Sequence, residues 1–370
     1  MKKRSLRFAA VAGAGVLALG ALAACGSSNG GGGGGNASGP SVGVILPDAV
    51  SSPRWESQDR PNLEKAFTDA GITADIQNAG GDVTKFGQLC DSMINEGVKV
   101  LIETDLDSDS GTACLTKATA AGVQTIDYDR LTLGGGASYY VSFDNVKVGE
   151  LMGQGLIDCL TAEGKNQANI IYVDGAATDN NAALFKQGYE AALKPKIDSG
   201  DYKLVGDQSG NWDPTTAAKV FDQMYTSNKG KVDGIVSAND TMAGAIIARL
   251  QADKVAGQIP ITGQDASVGG LQFILQGYQC GTVYKNTALE AAAASKLAID
   301  LINGDTADAT ALATGSVQDT VLNKAVPSVL ATPVWVTADS VKQVVADGQQ
   351  KASDICTADY ADLCTKYGVQ

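Results

Sequence analysis

Residues 98–127 read Val98-Lys-Val-Leu-Ile-Glu103, then Thr104-Asp-Leu-Asp-Ser-Asp-Ser-Gly-Thr-Ala-Cys-Leu-Thr-Lys-Ala-Thr-Ala-Ala-Gly122, then Val123-Gln-Thr-Ile-Asp127. Two β-branched runs flank a helical stretch, which predicts a strand, a crossover helix and a second strand parallel to the first. The same alternation runs outward in both directions, beginning at Ser41. Strands are predicted at Val42 to Leu46, Ala74 to Gln77, Ile170 to Val173, Lys203 to Gly206, Gly234 to Ser237, Ile259 to Gly263 and Thr282 to Tyr284. Amphipathic segments lie between most of them; Leu289, Ala293, Leu297 and Leu301 recur every fourth residue, as one buried helix face requires. Right-handed crossovers then wind parallel sheets. So many strands in 370 residues fit two α/β sheets better than one.

No long Pro- or Ser-rich linker divides this body, so two lobes must meet through short connections. Candidate crossings are Ser142-Phe143-Asp144, Gly281 to Tyr284, and Val326 to Val334, the last marked by Pro327 and Pro333. Three crossings give two Rossmann-like lobes around a hinge, a discontinuous first lobe of residues 41–142 plus 285–325 and a second of residues 143–284 plus 326–370.

The chain begins differently. Lys2, Lys3, Arg4 and Arg7 precede an apolar run from Phe8 to Ala24, the charged-then-apolar order of a secretory signal over residues 1–24. Its end, Leu22-Ala23-Ala24-Cys25, resembles the bacterial lipobox, in which Cys25 is lipidated and becomes the first residue of the mature chain. Residues 25–40 then form a tether, because the six glycines Gly30 to Gly35 among Ser and Asn behave as flexible coil. A plain membrane anchor is disfavoured, since about 17 residues rich in Ala and Gly are marginal for a span. These features place the body outside the membrane, lipid-anchored as in Gram-positive lipoproteins, in an oxidising compartment.

Composition narrows the chemistry. There are no histidines, which removes Ser-His-Asp and Cys-His nucleophile systems and every His-containing metal site. Losing the four signal cations takes the formal charge from −13 to −17, and so acidic a body repels nucleic acid. Six body cysteines remain: Cys90, Cys114, Cys159, Cys280, Cys356 and Cys364. They can pair in fifteen ways, and sequence alone does not choose. Cys356 and Cys364 lie close in a polar tail and are expected to pair; Cys90 with Cys114 would join consecutive predicted helices, leaving Cys159 with Cys280. No C-x-x-C, P-loop, Rossmann glycine fingerprint in a βαβ unit or G-x-S-x-G is present. The run Asp105-x-Asp107-x-Asp109-x-Gly111 hints at a calcium loop, but its glycine is one place late and Thr116 stands where a bidentate Glu belongs. No metal, cofactor or catalytic group is expected, and nothing marks a carboxylate pair for glycoside hydrolysis.

In open parallel sheets ligands bind beyond the carboxyl ends of strands. There the chain places Asp129-Arg130, Asp179-Asn180-Asn181, Trp212, Asn239-Asp240, Gln264-Asp265 and Lys285. Together they offer carboxylate acceptors, cationic donors, two-way amides and a large aromatic face. A sugar needs that set, because its hydroxyls donate and accept while its C–H faces are apolar. Each also has a plainer role: Asp179, Asp213, Asn239 and Asp265 stand where helices begin and could simply cap them, and Asp129-Arg130 could be a structural ion pair.

At these loops the sequence resembles the pentose- and hexose-binding proteins of ABC importers, the periplasmic-binding-protein type I family, and within it D-xylose-binding proteins. The likeness spans Val42 to about Gly348. It rests on Ser-Pro-Arg-Trp (52–55) with Asp59-Arg60, Tyr-Asp-Arg (128–130), Tyr-Val-Ser-Phe-Asp-Asn-Val-Lys-Val-Gly-Glu (140–150), Asp-Asn-Asn-Ala (179–182), Val-Gly-Asp-Gln (205–208), Ser-Ala-Asn-Asp (237–240), Gly-Gln-Asp-Ala (263–266) and Thr-Val-Tyr-Lys (282–285). The resemblance implies a monomeric, non-enzymatic protein that holds a monosaccharide between two lobes and delivers it to the transmembrane subunits of an ABC permease. It also implies the ligand set Arg54, Asp129, Arg130, Asp179, Asn181, Trp212, Asn239, Asp265 and Lys285. Gln264 stands where some relatives carry an aromatic residue, which leaves one sugar face less covered.

Overall fold

A computed structural model describes residues 39–370; the signal, Cys25 and the glycine run lie outside the described residues. Strands β1 (Val42–Leu46), β2 (Ala74–Asn78), β3 (Val100–Glu103), β4 (Gln124–Tyr128) and β5 (Tyr139–Phe143) pair in parallel; the central β1 and β3 are buried on both faces, while β2, at the edge, buries only Ile76. They belong to a seven-stranded sheet completed by β11 (Gly315–Asp319) and β12 (Lys324–Ala331), in the order β11-β12-β5-β4-β3-β1-β2.

The second lobe is built on β6 (Ala168–Asp174), β7 (Tyr202–Ser209), β8 (Gly234–Ser237), β9 (Thr262–Gln264), β10 (Gly281–Tyr284) and β13 (Val334–Val336). They form two three-stranded ladders, β7-β6-β8 and β13-β10-β9, joined by a single bridge between Ile235 and Ile261. The two-lobe α/β architecture is therefore the one expected, with two antiparallel additions: β11 on β12, and β13 on β10.

Two expectations change. The segment Tyr139–Phe143 is a full strand of the first sheet, and the chain leaves it at Asp144, which caps the following helix by accepting from Lys147 N at 3.0 Å. The third crossing comes later than residue 326: Ser328 to Ala331 pair with Tyr140 to Phe143, so residues 326–331 extend the first sheet and the chain crosses between Ala331 and Val334. Pro327 is tolerated inside β12 because pairing with β5 begins only at Ser328.

Close helix packing braces the second lobe. Helices Asn145–Ala162 and Asn180–Asp198 touch through glycine, and a Cβ on Gly149 would meet Phe185 O at 2.0 Å. Larger residues there would push the second helix, and the side chains at its N-terminus, away from the sheet. No helix among the described residues is long and apolar enough to cross a membrane.

All six body cysteines are paired: Cys90–Cys114, Cys159–Cys280 and Cys356–Cys364, with Cα separations of 5.8, 6.3 and 5.8 Å. The second closes 121 residues and the third only 8. Chain entropy then gives upper limits of about 5 kcal/mol for Cys159–Cys280 and about 2.5 kcal/mol for Cys356–Cys364. Replacing both cysteines of each pair by Ser is expected to reproduce that order in urea unfolding free energies; equal losses would contradict it.

Candidate functional site

The loop after β1 carries Arg54 into the gap between the lobes, where it is 5% exposed. So buried a guanidinium needs every donor placed. Its Nε and one terminal nitrogen grip Asp59 as a fork at 2.8 and 2.7 Å, the same terminal nitrogen also donates to Glu290, and the other reaches Asp129 Oδ2 at 2.7 Å, which accounts for four of the five N–H groups. Burial opposes the charge on Arg54, but Asp59, Asp129 and Glu290 together raise its pKa well above the ordinary value. For Glu290 burial outweighs Arg54 and pushes the carboxyl well up.

Asp129, just past β4, adopts a left-handed backbone with φ of 64°. That turn aims its carbonyl at three donors, Tyr140 OH, Ser142 Oγ and Asn181 Nδ2, at 2.8, 2.7 and 2.8 Å. Its carboxylate meets Arg54, and Lys285 Nζ at 3.4 Å. Burial disfavours the ionised form, yet Lys285, Arg54 and Arg130 overcome it and hold this carboxyl well below the usual carboxylate range.

From the second lobe, Asp179 performs two roles that the sequence offers as alternatives. One oxygen caps its helix through Asn181 N at 2.8 Å; the other accepts from Trp212 Nε1 at 3.0 Å and pairs with Arg130 Nε at 3.0 Å. Asn239 is likewise both cap and bridge: its Oδ1 accepts from Met242 N at 2.9 Å while its Nδ2 donates to Ser51 O of the first lobe at 2.8 Å. Asp213 is a cap, accepting from Thr216 N at 2.7 Å. Asp265 is not a cap; Ser267 caps that helix, accepting from Gly270 N at 3.1 Å. Asp107 likewise caps the helix Ser108–Ala120, accepting from Ser110 N at 2.8 Å, and no group of three or more metal-ligating side chains occurs among the described residues.

The neighbours Gly210, Asn211, Asp213 and Pro214 give Trp212 the sequence of an exposed loop, yet only 8% of it is exposed. A Cβ on Gly175 would lie 2.1 Å from the indole, so the glycine gives the ring room to fold inward, edge-on to Phe185 at 6.3 Å.

All nine residues expected at the site converge on one cavity between the lobes. Sequence reasoning leaves out Ser51, Ser52, Trp55 and Phe185, which also line it. Ser52 and Trp55 flank Arg54, and Phe185 is one helical turn beyond Asn181, so both signals were present. Glu290 carries no such signal; only the fold brings it to Arg54. Two buried cavity-lining atoms, Ser52 Oγ and Gln264 Oε1, have no hydrogen-bond partner within the protein, and Asp265 Oδ1 faces only Lys285 Nζ, at 3.4 Å.

A buried polar cavity shared by two lobes fits a solute-binding cleft, and residues 42–306 match the family described as periplasmic binding protein domain. The chain belongs to that family. This periplasmic binding protein is 35% identical over 340 residues to the D-xylose-binding periplasmic protein of Escherichia coli, covering 90% of this chain and 98% of the relative. It is 32% identical over 354 residues to a multiple sugar-binding periplasmic receptor of Rhizobium radiobacter, covering 92% and 98%. In structure it is similar to a carbohydrate transporter solute binding protein from Chloroflexus aurantiacus in complex with D-glucose, with a TM-score of 0.77, 30% identity and coverage of 85% and 98%.

The ion-pair network sets a stability test. Asp129→Asn keeps the shape but leaves Arg54 and Lys285 without their shared carboxylate, and breaking a buried pair from one side costs about 3–5 kcal/mol. Urea denaturation of the ligand-free binding protein should show a loss of that size; a loss under about 1 kcal/mol would mean that the pairs contribute little.

Proposed function

We propose that this binding protein captures a monosaccharide, D-xylose, in the inter-lobe cavity and delivers it to an ABC permease, working as a monomer tethered to the outer face of the membrane by lipid on Cys25. One observation carries the sugar reading: a single cavity brings together cationic donors, carboxylate acceptors, amides and aromatic faces, with two buried polar atoms on its wall, Ser52 Oγ and Gln264 Oε1, unpartnered. A ring whose hydroxyls both donate and accept can use Arg54, Arg130 and Lys285 on one side of its chemistry and Asp129, Asp179 and Asp265 on the other. Trp55 and Phe185 add apolar faces to the indole of Trp212, which makes good the aromatic residue missing at Gln264.

Xylose is favoured because a relative 35% identical is named for it, while the multiple-sugar receptor and the glucose complex point to hexoses as the competing ligands. A second role, presenting bound sugar to a signalling partner, would use the same site. Calorimetry of residues 41–370 against D-xylose, D-glucose, D-galactose and L-arabinose tests the reading: tight binding of D-xylose is expected, and no heat with any of them would overturn it.

Truncating a buried aromatic anchor costs roughly 1–3 kcal/mol, so Trp212→Ala should weaken binding about ten- to a hundredfold. Asp265→Asn should also weaken it by replacing an acceptor with a donor in a closed site. Asp213→Asn should leave affinity unchanged, because Asn caps as well as Asp. For the anchor, Cys25→Ser is expected to release the protein from the membrane fraction of its host; retention there would rule out lipid on Cys25 as the tether.

A further inference from the structure

The turn that carries Asp265 is strained. Asp265 has φ of 98° and Ala266 has φ of 50°, two consecutive side-chain-bearing residues in a region that only glycine enters freely. Such a pair persists only where its surroundings over-determine it. Here every amide of the turn is held: Asp265 N donates to Val283 O at 2.9 Å, Ala266 N to Thr282 Oγ1 at 3.3 Å, and Ser267 N to Asp240 Oδ2 at 2.8 Å. Thr282 can accept from Ala266 because its own hydroxyl donates to Asp240 Oδ1 at 2.8 Å. Gln279 Nε2 adds a further donor to that oxygen at 2.7 Å. Two of the three holding contacts thus run through one carboxylate.

Room for it has been made. A Cβ at Gly263 would lie 2.2 Å from Asp240 Oδ1, and one at Gly270 2.3 Å from Oδ2. Asp240 is only 3% exposed and does not line the cavity. Burial pushes its carboxyl up to about 7 against the pull of Gln279, Ser267 and Thr282, so a staple without functional purpose could be built less expensively from a neutral side chain.

We infer that Asp240 is a positioning residue for ligand binding: it sets sugar affinity without touching the sugar, by holding the Asp265–Ala266–Ser267 turn so that Asp265 faces the cavity. This rests on the sugar reading of the cleft. Asp240→Asn keeps the volume but turns an amide donor toward groups that are themselves donors, and the turn should relax toward ordinary backbone angles.

The test is a double-mutant cycle read by calorimetry with D-xylose and D-glucose. Asp240→Asn is expected to weaken binding about tenfold. In the Asp265→Asn background the same change should cause no further loss, since the group it positions is already disabled; a purely structural role would weaken both backgrounds alike. Thr282 supplies a second arm if Asp240→Asn does not fold: Thr282→Val, which breaks the relay to Ala266 N, should weaken binding, and Thr282→Ser should restore it. Wild-type affinity in Asp240→Asn, or equal losses in both backgrounds, overturns the inference while the sugar reading stands. If Asp265→Asn itself binds both sugars like wild type, the reading of the cleft fails and the inference falls with it.

Discussion

Asp129 belongs to the first lobe by sequence and strand order, but not all of its partners do. Its carboxylate and carbonyl both accept from Asn181 of the second lobe, at 3.1 and 2.8 Å, and its carboxylate also faces Lys285 at the crossing between lobes. The left-handed backbone at this one residue makes the sharing possible, because it turns the carbonyl toward Tyr140, Ser142 and Asn181 while the carboxylate points at Arg54. Asn181 is fixed in turn by Asn145 Nδ2 at 2.8 Å, beside the first crossing. The closed relation of the lobes and the polarity of the cavity therefore depend on the same atoms.

A site with this many buried charges is a poor device for stability. Each ion loses hydration, and its partners recover that loss only when geometry and number are right. The arrangement makes better sense as preorganisation. Asp59, Asp129 and Glu290 hold Arg54 before any ligand arrives, and Asp179 holds both Arg130 and Trp212. A bound solute then meets donors and acceptors already oriented, so less side-chain ordering has to accompany binding.

What was legible in the sequence follows from what is local. Regular β-branched runs announced nine strands, and polar residues at their carboxyl ends announced the wall of the cavity. Tyr139–Phe143 escaped as a strand because it adjoins the crossing at Asp144, and Lys324–Ala331 because Pro327 reads as a break until the missing β5 partner at that position is seen. Caps and ligand groups looked like competing readings of Asp179 and Asn239, but a side chain with two polar atoms can serve a helix with one and the opposite lobe with the other. Burial of Trp212 depended on Gly175, 37 positions away in the chain, and no local pattern records such a contact.

The disulfides respect the same division. Cys90–Cys114 ties two helices of the first lobe, Cys159–Cys280 ties a helix of the second lobe to the start of β10, and Cys356–Cys364 closes the tail that packs on the second lobe. None joins one lobe to the other. The disulfides thus stiffen each lobe and leave Asp144, the Lys285–Asn286 connection and the segment between Ala331 and Val334 unbridged. Phe143 of β5 packs into the core of the second lobe, and the polar contacts that span the lobes include Asn239 to Ser51, Gln58 to Gln350 at 3.3 Å, Arg130 to Asp179 and Asn181 to Asp129. Bonds of that kind exchange with water at modest net cost, whereas a disulfide does not. Permanent links within lobes and exchangeable links between them are the combination that opening and closing around a ligand demands.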